Sequence, residues 1–93
     1  MIKSWKHKGL KNFFEHGAIK GIQAGHQKRL TIILQRLNAA VKPDDLNLPG
    51  MQFHPLTGNL KGFYSVSING NWRVIIYRFE GQDAVMVDYI DYH

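Results

Sequence analysis

The strongest constraint on the fold is the stretch GFYSVSINGNWRVIIYRF, in which two β-prone runs flank the pair Asn69-Gly70. Asn and Gly both accept the positive φ angles of a type I′ turn, so the pair predicts a two-residue hairpin. Such a turn predicts three cross-strand pairs, which are Ile68 with Asn71, Val66 with Arg73, and Tyr64 with Ile75. The second half of the chain should therefore contain an antiparallel hairpin.

The first half of the chain has helical periodicity. Leu10, Phe13 and Phe14 would share one side of a short helix that ends at Gly17. The stretch AGHQKRLTIILQRLNAAVKP predicts a second, amphipathic helix, which Pro43 would end. Its apolar positions follow the i, i+3, i+4, i+7 pattern and are Leu30, Ile33, Leu34, Leu37 and Val41.

The remaining segments complete a simple order of elements. IKSW predicts a short first strand, KPDDLNLPG a loop, MQFHPL a short extended segment and AVMVDYIDYH a last strand. Two helices followed by a meander of three or four strands predict one α+β domain over residues 1–93. In this fold the two N-terminal helices pack on one face of a mainly antiparallel, twisted sheet. The other face would be free to form a groove.

The composition excludes several classes of protein. The sequence has 0 cysteines, which excludes a disulfide framework, a thiolate zinc site and a cysteine nucleophile. No apolar run approaches the length of a membrane span, and no signal-peptide core follows the first charged residues. We therefore expect a soluble cytoplasmic protein without a membrane partner.

The net charge of +5 is unevenly distributed along the chain. Residues 1–42 contain nine of the 12 Lys and Arg residues and one acid, Glu15, whereas residues 43–93 contain three bases and six acids. This asymmetry favours a basic surface that attracts a polyanion, with nucleic acid as the leading candidate. A net charge of this size is equally compatible with simple solubility.

The candidate chemistry uses neither a metal nor a cofactor. The five histidines lack metal-binding spacing, and the sequence has no P-loop and no nucleophile elbow. An acid–base set remains, which consists of His54, Arg73, Asp91, Tyr92 and His93. These residue types suit RNA cleavage by the substrate's own 2′-hydroxyl. Histidine can transfer protons near neutral pH, arginine can stabilise a phosphorane, and tyrosine can stack on a base.

Each of these residues also has a purely structural explanation. His54 would be an ordinary loop histidine. Arg73, predicted in the middle of a strand, would pair with Asp88 or Asp91 across the sheet, since an unpaired buried arginine is costly. Residues 92–93 would be an edge aromatic and a frayed terminus. Solvated positions in or beside helices are expected for the other histidines, His7, His16 and His26.

At these candidate residues the chain resembles the RelE/ParE superfamily of bacterial toxins, and within it the HigB branch of type II toxin–antitoxin systems. The resemblance spans the whole chain through MIKSWKHKGLKNFFEHG, FHPLTGNLKGFYSVSINGNWRVIIYRF and VDYIDYH. Its most specific parts are the closing DYH and the NWR of the hairpin. The resemblance implies a RelE-like fold of the microbial-ribonuclease type.

The resemblance also implies an activity. A toxin of this branch is a ribosome-dependent endonuclease that cleaves messenger RNA in the ribosomal A site by metal-independent attack of the 2′-hydroxyl. The implied catalytic residues are His54, Arg73, Asp91, Tyr92 and His93. The implied contacts to ribosomal RNA are Lys3, Lys6, Lys8, Lys11, Lys28, Arg29 and Arg36.

The implied partners are messenger RNA on the ribosome and a cognate, HigA-like antitoxin with a helix-turn-helix. Operator DNA would be contacted through that antitoxin. The alternative within the superfamily is a ParE-like toxin, which binds DNA gyrase and performs no nuclease chemistry. A third possibility is a non-toxic basic module that binds RNA or DNA, in which the five residues are structural.

Overall fold

The computed structural model describes residues 1–69 and 73–91, and only the backbone of residues 69, 73, 74 and 91. The elements are helices α1 (Lys8–His16) and α2 (Gln27–Ala39), then strands β1 (His54–Pro55), β2 (Tyr64–Asn69), β3 (Arg73–Glu80) and β4 (Asp83–Asp91). The strands form one antiparallel sheet in the order β1-β2-β3-β4. The predicted α+β class, with two helices before an antiparallel meander, is confirmed.

The N-terminal segment adds to the outer edge of β4. Ile2 and Trp5 form isolated parallel bridges with Ala84 and Val87. The Lys6 N–H donates to the Val87 carbonyl at 2.8 Å. The predicted first strand is therefore present as a short parallel edge rather than as a regular strand.

Helix α1 ends where the sequence predicts, and a histidine caps its start. The His7 ring caps its first turn, because Nδ1 accepts the Leu10 N–H at 2.9 Å. Gly17 ends the helix with φ of 73°, a left-handed conformation in which glycine has no Cβ penalty. Leu10 is fully buried, and Phe13 and Phe14 pack against the core.

Helix α2 is shorter than the sequence predicts. Four of its predicted apolar positions are buried, namely Leu30, Ile33, Leu34 and Leu37. The helix stops at Ala39, however, and Val41 is 50% exposed. The reason is a competing hydrogen bond: the Asp45 carboxylate accepts the Val41 N–H at 2.9 Å, and Pro43 disfavours helical backbone just before it. No helix in the described part of the chain is long and apolar enough to cross a membrane.

The hairpin between β2 and β3 has a different register from the predicted one. Tyr64 is opposite Tyr77, Val66 is opposite Ile75, and Asn69 is opposite Arg73. The predicted pairs of Tyr64 with Ile75 and of Val66 with Arg73 are therefore wrong. The predicted turn and the predicted pair of Ile68 with Asn71 fall on residues 70–72, which lie outside the described residues. The register also shifts between Ser67 and Asn69. The observed pairing is favoured physically because Val66 lies against an apolar partner instead of a charged one.

The main core lies between the helices and one face of the sheet. Its buried sheet residues are Val66, Ile68, Ile75, Tyr77, Ala84, Val87 and Tyr89. The opposite face carries a smaller cluster around Leu56 and Ile76. Residues 56–63 fold over part of this face, where Leu60 and Phe63 join the cluster and the Leu56 N–H donates to the Phe63 carbonyl at 2.9 Å. The face expected to form a groove is thus partly covered.

Leu46 anchors the segment that the sequence predicts as a loop. Pro43–Leu46 forms a 3₁₀ helix, and the Leu46 side chain is fully buried. Next to it, the Tyr77 hydroxyl donates to the Pro43 carbonyl at 3.0 Å. The segment between α2 and β1 is therefore fixed to the core at two points.

Candidate functional site

The sheet register brings two of the five candidate catalytic residues together. Arg73 is the first residue of β3, Asp91 is the last of β4, and their Cα atoms are directly opposite. The prediction that Arg73 lies in the middle of a strand is wrong, since β3 begins there. Asp88 is opposite Ile76, so Asp91 is the carboxylate across the sheet from Arg73. The predicted ion pair stays a prediction, because both side chains lie outside the described part of the structure.

Two further candidates cannot be placed. Tyr92 and His93 lie outside the described residues. The prediction that they join Arg73 and Asp91 in one site therefore stays a prediction. Their position in the chain, directly after the residue opposite Arg73, is the sequence basis for it.

His54 lies on the same sheet but farther away. It is exposed, begins β1 and is opposite Ser65, which in turn is opposite Ile76. Two strand spacings of about 4.8 Å and three residues along β3 place its Cα about 14 Å from that of Arg73. His54 shares the face of Ile76, whereas Arg73, three residues before Ile76, is at a position of the other face. The structure does not bring His54 together with Arg73, and the prediction that both belong to one site stays a prediction.

The candidate RNA-binding residues divide into two groups. Six of them are exposed, namely Lys3, Lys6, Lys8, Lys11, Lys28 and Arg36. Arg29 is half-buried, and its Nη2 donates to the carbonyls of Gly50 at 2.6 Å and Ser67 at 3.2 Å. Its guanidinium therefore ties α2 to β2, a structural role that competes with the predicted RNA contact.

A cavity of about 340 Å³ lies elsewhere, between the start of α1 and the segment that follows it. Lys8 and Lys20 contribute to its wall. His54, the candidate catalytic residue whose side chain the structure describes, does not line it. In the described part of the chain, no group of three or more His, Cys, Asp or Glu side chains is arranged to hold a metal ion.

A pair near β4 was missed by the sequence analysis. His26 is only 4% exposed, and its Nδ1 shares a 2.7 Å hydrogen bond with the Tyr89 hydroxyl. The ring of His7 meets the Tyr89 ring edge-on with centroids 5.4 Å apart. The expectation that His26 is solvated is wrong. Alternation with Val87 in β4 did signal that Tyr89 faces the core and needs a partner for its hydroxyl, but nothing local identified His26 as that partner.

Comparisons of the sequence with a family model and with two curated relatives all point to the same family. Residues 3–93 match the family model of HigB-like toxins, described as the RelE-like toxin of type II toxin-antitoxin system HigB. The sequence is 41% identical to Endoribonuclease HigB of Proteus vulgaris over 93 residues, which is 100% of both chains. It is 34% identical to Toxin HigB-1 of Vibrio cholerae over 96 residues, covering 100% of this chain and 98% of the relative.

A solved structure supports the fold. The solution structure of the conserved hypothetical protein HP0894 from Helicobacter pylori superposes with a TM-score of 0.54 at 16% identity. The alignment covers 98% of this chain and 94% of that one. At this identity the likeness concerns the fold alone.

Proposed function

Because the chain belongs to the HigB-like family of RelE-like toxins from type II toxin–antitoxin systems, we propose that it is an endoribonuclease that cleaves messenger RNA in the ribosomal A site. The name of the Proteus vulgaris relative supports the activity. The structural observation that supports it most is the register of β3 and β4, in which Arg73 is opposite Asp91 at the end of the last strand. A cation and a carboxylate at one strand end are two of the groups that the reaction needs.

The proposed reaction is in-line attack of a 2′-hydroxyl on the adjacent phosphorus. The bond from the 2′-oxygen to phosphorus forms, the bond to the 5′-oxygen breaks, and a cyclic phosphate and a free 5′-hydroxyl result. Asp91 or His93 would accept the 2′-hydroxyl proton, and Arg73 would stabilise the negative charge that develops on the phosphorane. A protonated side chain of the same set, His93 where Asp91 is the base, would give a proton to the departing 5′-oxygen and so balance the proton taken from the 2′-hydroxyl. These steps require no metal, since side chains supply each proton and charge.

Two further residues would act on other parts of the substrate. Tyr92 would stack on or orient the nucleotide at the cleaved bond. His54, about 14 Å from Arg73 between Cα atoms by strand spacing, would contact a neighbouring phosphate. The exposed lysines of the N-terminal half would hold ribosomal RNA through its backbone.

The proposed partners follow from the family. A type II system pairs the toxin with a protein antitoxin, and we infer a HigA-like antitoxin whose helix-turn-helix contacts operator DNA. The toxin itself would reach that DNA only through the antitoxin. Messenger RNA on the ribosome places the proposed activity in the cytoplasm.

The test is to map message ends after induction of the toxin. The wild-type protein should produce discrete new ends within translated message, and His93→Ala and Arg73→Ala should reduce cleavage by about 10²- to 10⁴-fold. His16→Ala is the matched control, because His16 lies on α1 with its side chain 71% exposed. Thermal unfolding must show that each variant is folded.

The outcomes separate the candidate functions. A folded His93→Ala variant that cleaves message like the wild type would refute the proposed catalytic role of His93. Intact message together with inhibited DNA gyrase would instead support the ParE-like alternative. Intact message with unaffected gyrase and unaffected growth would leave a basic nucleic-acid-binding module.

A further inference from the structure

Strand β4 loses one of its two neighbours before it reaches the candidate site. The Val87 carbonyl accepts the N–H groups of Lys6 at 2.8 Å and His7 at 3.4 Å, and the chain then turns into α1. Beyond Val87, β3 is the only strand that pairs with β4 in the described residues, and this pairing continues to Asp91. A strand end paired on one side opens more easily than one paired on both.

Tyr89 lies where this support is lost. Its side chain is 3% exposed, and its hydroxyl shares the 2.7 Å hydrogen bond with His26 Nδ1. The edge-on ring of His7 contacts it from the segment before α1. Its own N–H donates to the Asp88 carboxylate at 2.9 Å. Residues at both helix starts therefore hold the side chain of Tyr89, beyond the last backbone hydrogen bond between β4 and the N-terminal segment.

We propose that the His26–Tyr89 hydrogen bond is a positioning contact that fixes the Asp91 end of β4 relative to Arg73, an inference that rests on the endoribonuclease function proposed above. Tyr89 lies two residues, or about 6.6 Å, before Asp91 along the strand. His26 is a firm reference point because it directly precedes α2, whose buried leucines fix that helix in the core. Both side chains are buried, so neither would touch the substrate.

The expected effect is on the rate rather than on binding. Loss of the contact should displace the end of β4 by a fraction of an ångström to about 1 Å, and a shift of that size can lower a rate by about 10- to 100-fold. The exposed lysines that would bind RNA are unaffected, so KM should stay within about twofold of the wild type.

Tyr77 provides a matched control for general loss of stability. It is a fully buried tyrosine of the same core, and its hydroxyl donates to the Pro43 carbonyl at 3.0 Å. It lies on β3, four residues from Arg73, and its hydroxyl holds the segment between α2 and β1. Tyr77→Phe should therefore remove a comparable hydrogen bond without changing kcat.

The experiment measures kcat and KM for cleavage of ribosome-bound message by folded protein. Tyr89→Phe and His26→Leu should each lower kcat by about 10- to 100-fold. His26→Asn places an amide near the position of Nδ1 and should recover kcat to within about threefold of the wild type. Amide hydrogen exchange at Ile90 and Asp91 should accelerate by about tenfold in Tyr89→Phe and stay unchanged in Tyr77→Phe.

Each outcome decides the inference. Wild-type kcat in Tyr89→Phe, or an equal loss of kcat in Tyr77→Phe, would overturn it while leaving the endoribonuclease function intact. If the wild type cleaves no message, the proposed function fails, and the exchange measurement alone then decides whether Tyr89 fixes the end of β4. If Tyr89→Phe does not fold, His26→Leu and its His26→Asn counterpart carry the same comparison.

Discussion

Replacement of Tyr77 by Phe should change the pH dependence of stability in a way that the structure specifies. Burial raises the pKa of Tyr77 well above its ordinary value, and the nearby Tyr64, Asp44 and Asp45 raise it further. The phenol therefore stays protonated in the folded protein after it has begun to ionise in the unfolded chain. The native state then binds more protons than the unfolded state, so stability falls as the pH rises above about 10.

The difference in free energy of unfolding between the wild type and Tyr77→Phe should change sign near that pH. Below it, the Tyr77 hydroxyl donates one hydrogen bond to the Pro43 carbonyl, and its loss should lower the free energy of unfolding by about 1 kcal/mol. One pH unit above the ordinary tyrosine pKa, the wild type loses about 1.4 kcal/mol that a phenylalanine cannot lose. The two contributions cancel between pH 10 and 11, where the stabilities of the wild type and Tyr77→Phe should cross.

Urea unfolding of both proteins at pH 8, 9, 10 and 11 measures this difference directly. Other lysines and tyrosines titrate in both proteins, so their effects cancel in the comparison. A stability difference that stays constant from pH 8 to pH 11 would refute the reasoning, because it would mean that Tyr77 ionises equally in the folded and unfolded chains.

Three other substitutions test the fold by urea unfolding. His7→Ala removes the N-cap of α1 and should cost about 1 kcal/mol, whereas the exposed His16→Ala should cost little; equal effects would contradict the cap. Gly17→Ala forces a side chain into φ of 73° and should cost about 1 kcal/mol, so an unchanged stability would argue against the left-handed helix end. Leu34→Ala opens a cavity in the core and should lower the free energy of unfolding by about 2–5 kcal/mol. Ile32 is 45% exposed, so Ile32→Ala should cost well under half as much. Similar losses in the two variants would place Leu34 outside the core.

The helices could be predicted from the sequence because their signals are local. The left-handed end at Gly17 and the buried leucines of α2 depend on residues within one or two turns. The end of α2 was predicted less well, since it depends on the Asp45 carboxylate, which accepts the Val41 N–H at 2.9 Å. A side chain beyond the helix decided where the helix stops, and hydrophobic periodicity carries no information about it.

The register of the hairpin was harder to predict. Asn69-Gly70 favours a two-residue turn, but pairing Val66 with Ile75 in place of Arg73 is a better cross-strand contact. A shift by two residues keeps every side chain on its own face, so alternation alone cannot separate the two registers. The register also affects the candidate site, because the observed pairing places Arg73 at the start of β3.

The candidate site itself was predictable only in part. Sequence patterns placed Asp91 near the end of a strand but Arg73 in the middle of one, and the pairing of β3 with β4 makes the two residues neighbours. The contact between His26 and Tyr89 joins residues 63 positions apart. A histidine just before a helix is usually solvated. The burial of His26 depends on how α2 packs on the sheet, which local sequence does not show.

The topology also gives the charge asymmetry a physical meaning that composition alone lacks. The N-terminal segment runs parallel to β4, from the bridge of Ile2 with Ala84 to that of Trp5 with Val87. It therefore advances toward the end of β4 as its lysines accumulate, and exposed Lys6 lies beside Val87, which precedes Asp91 by four residues or about 13 Å. A basic stretch that is distant from the DYH ending in sequence thus lies next to the strand that carries it. An RNA backbone held along this edge would be led toward Arg73 and Asp91, so Lys6 is better placed for the proposed RNA contact than Arg29, whose guanidinium is bound to backbone carbonyls.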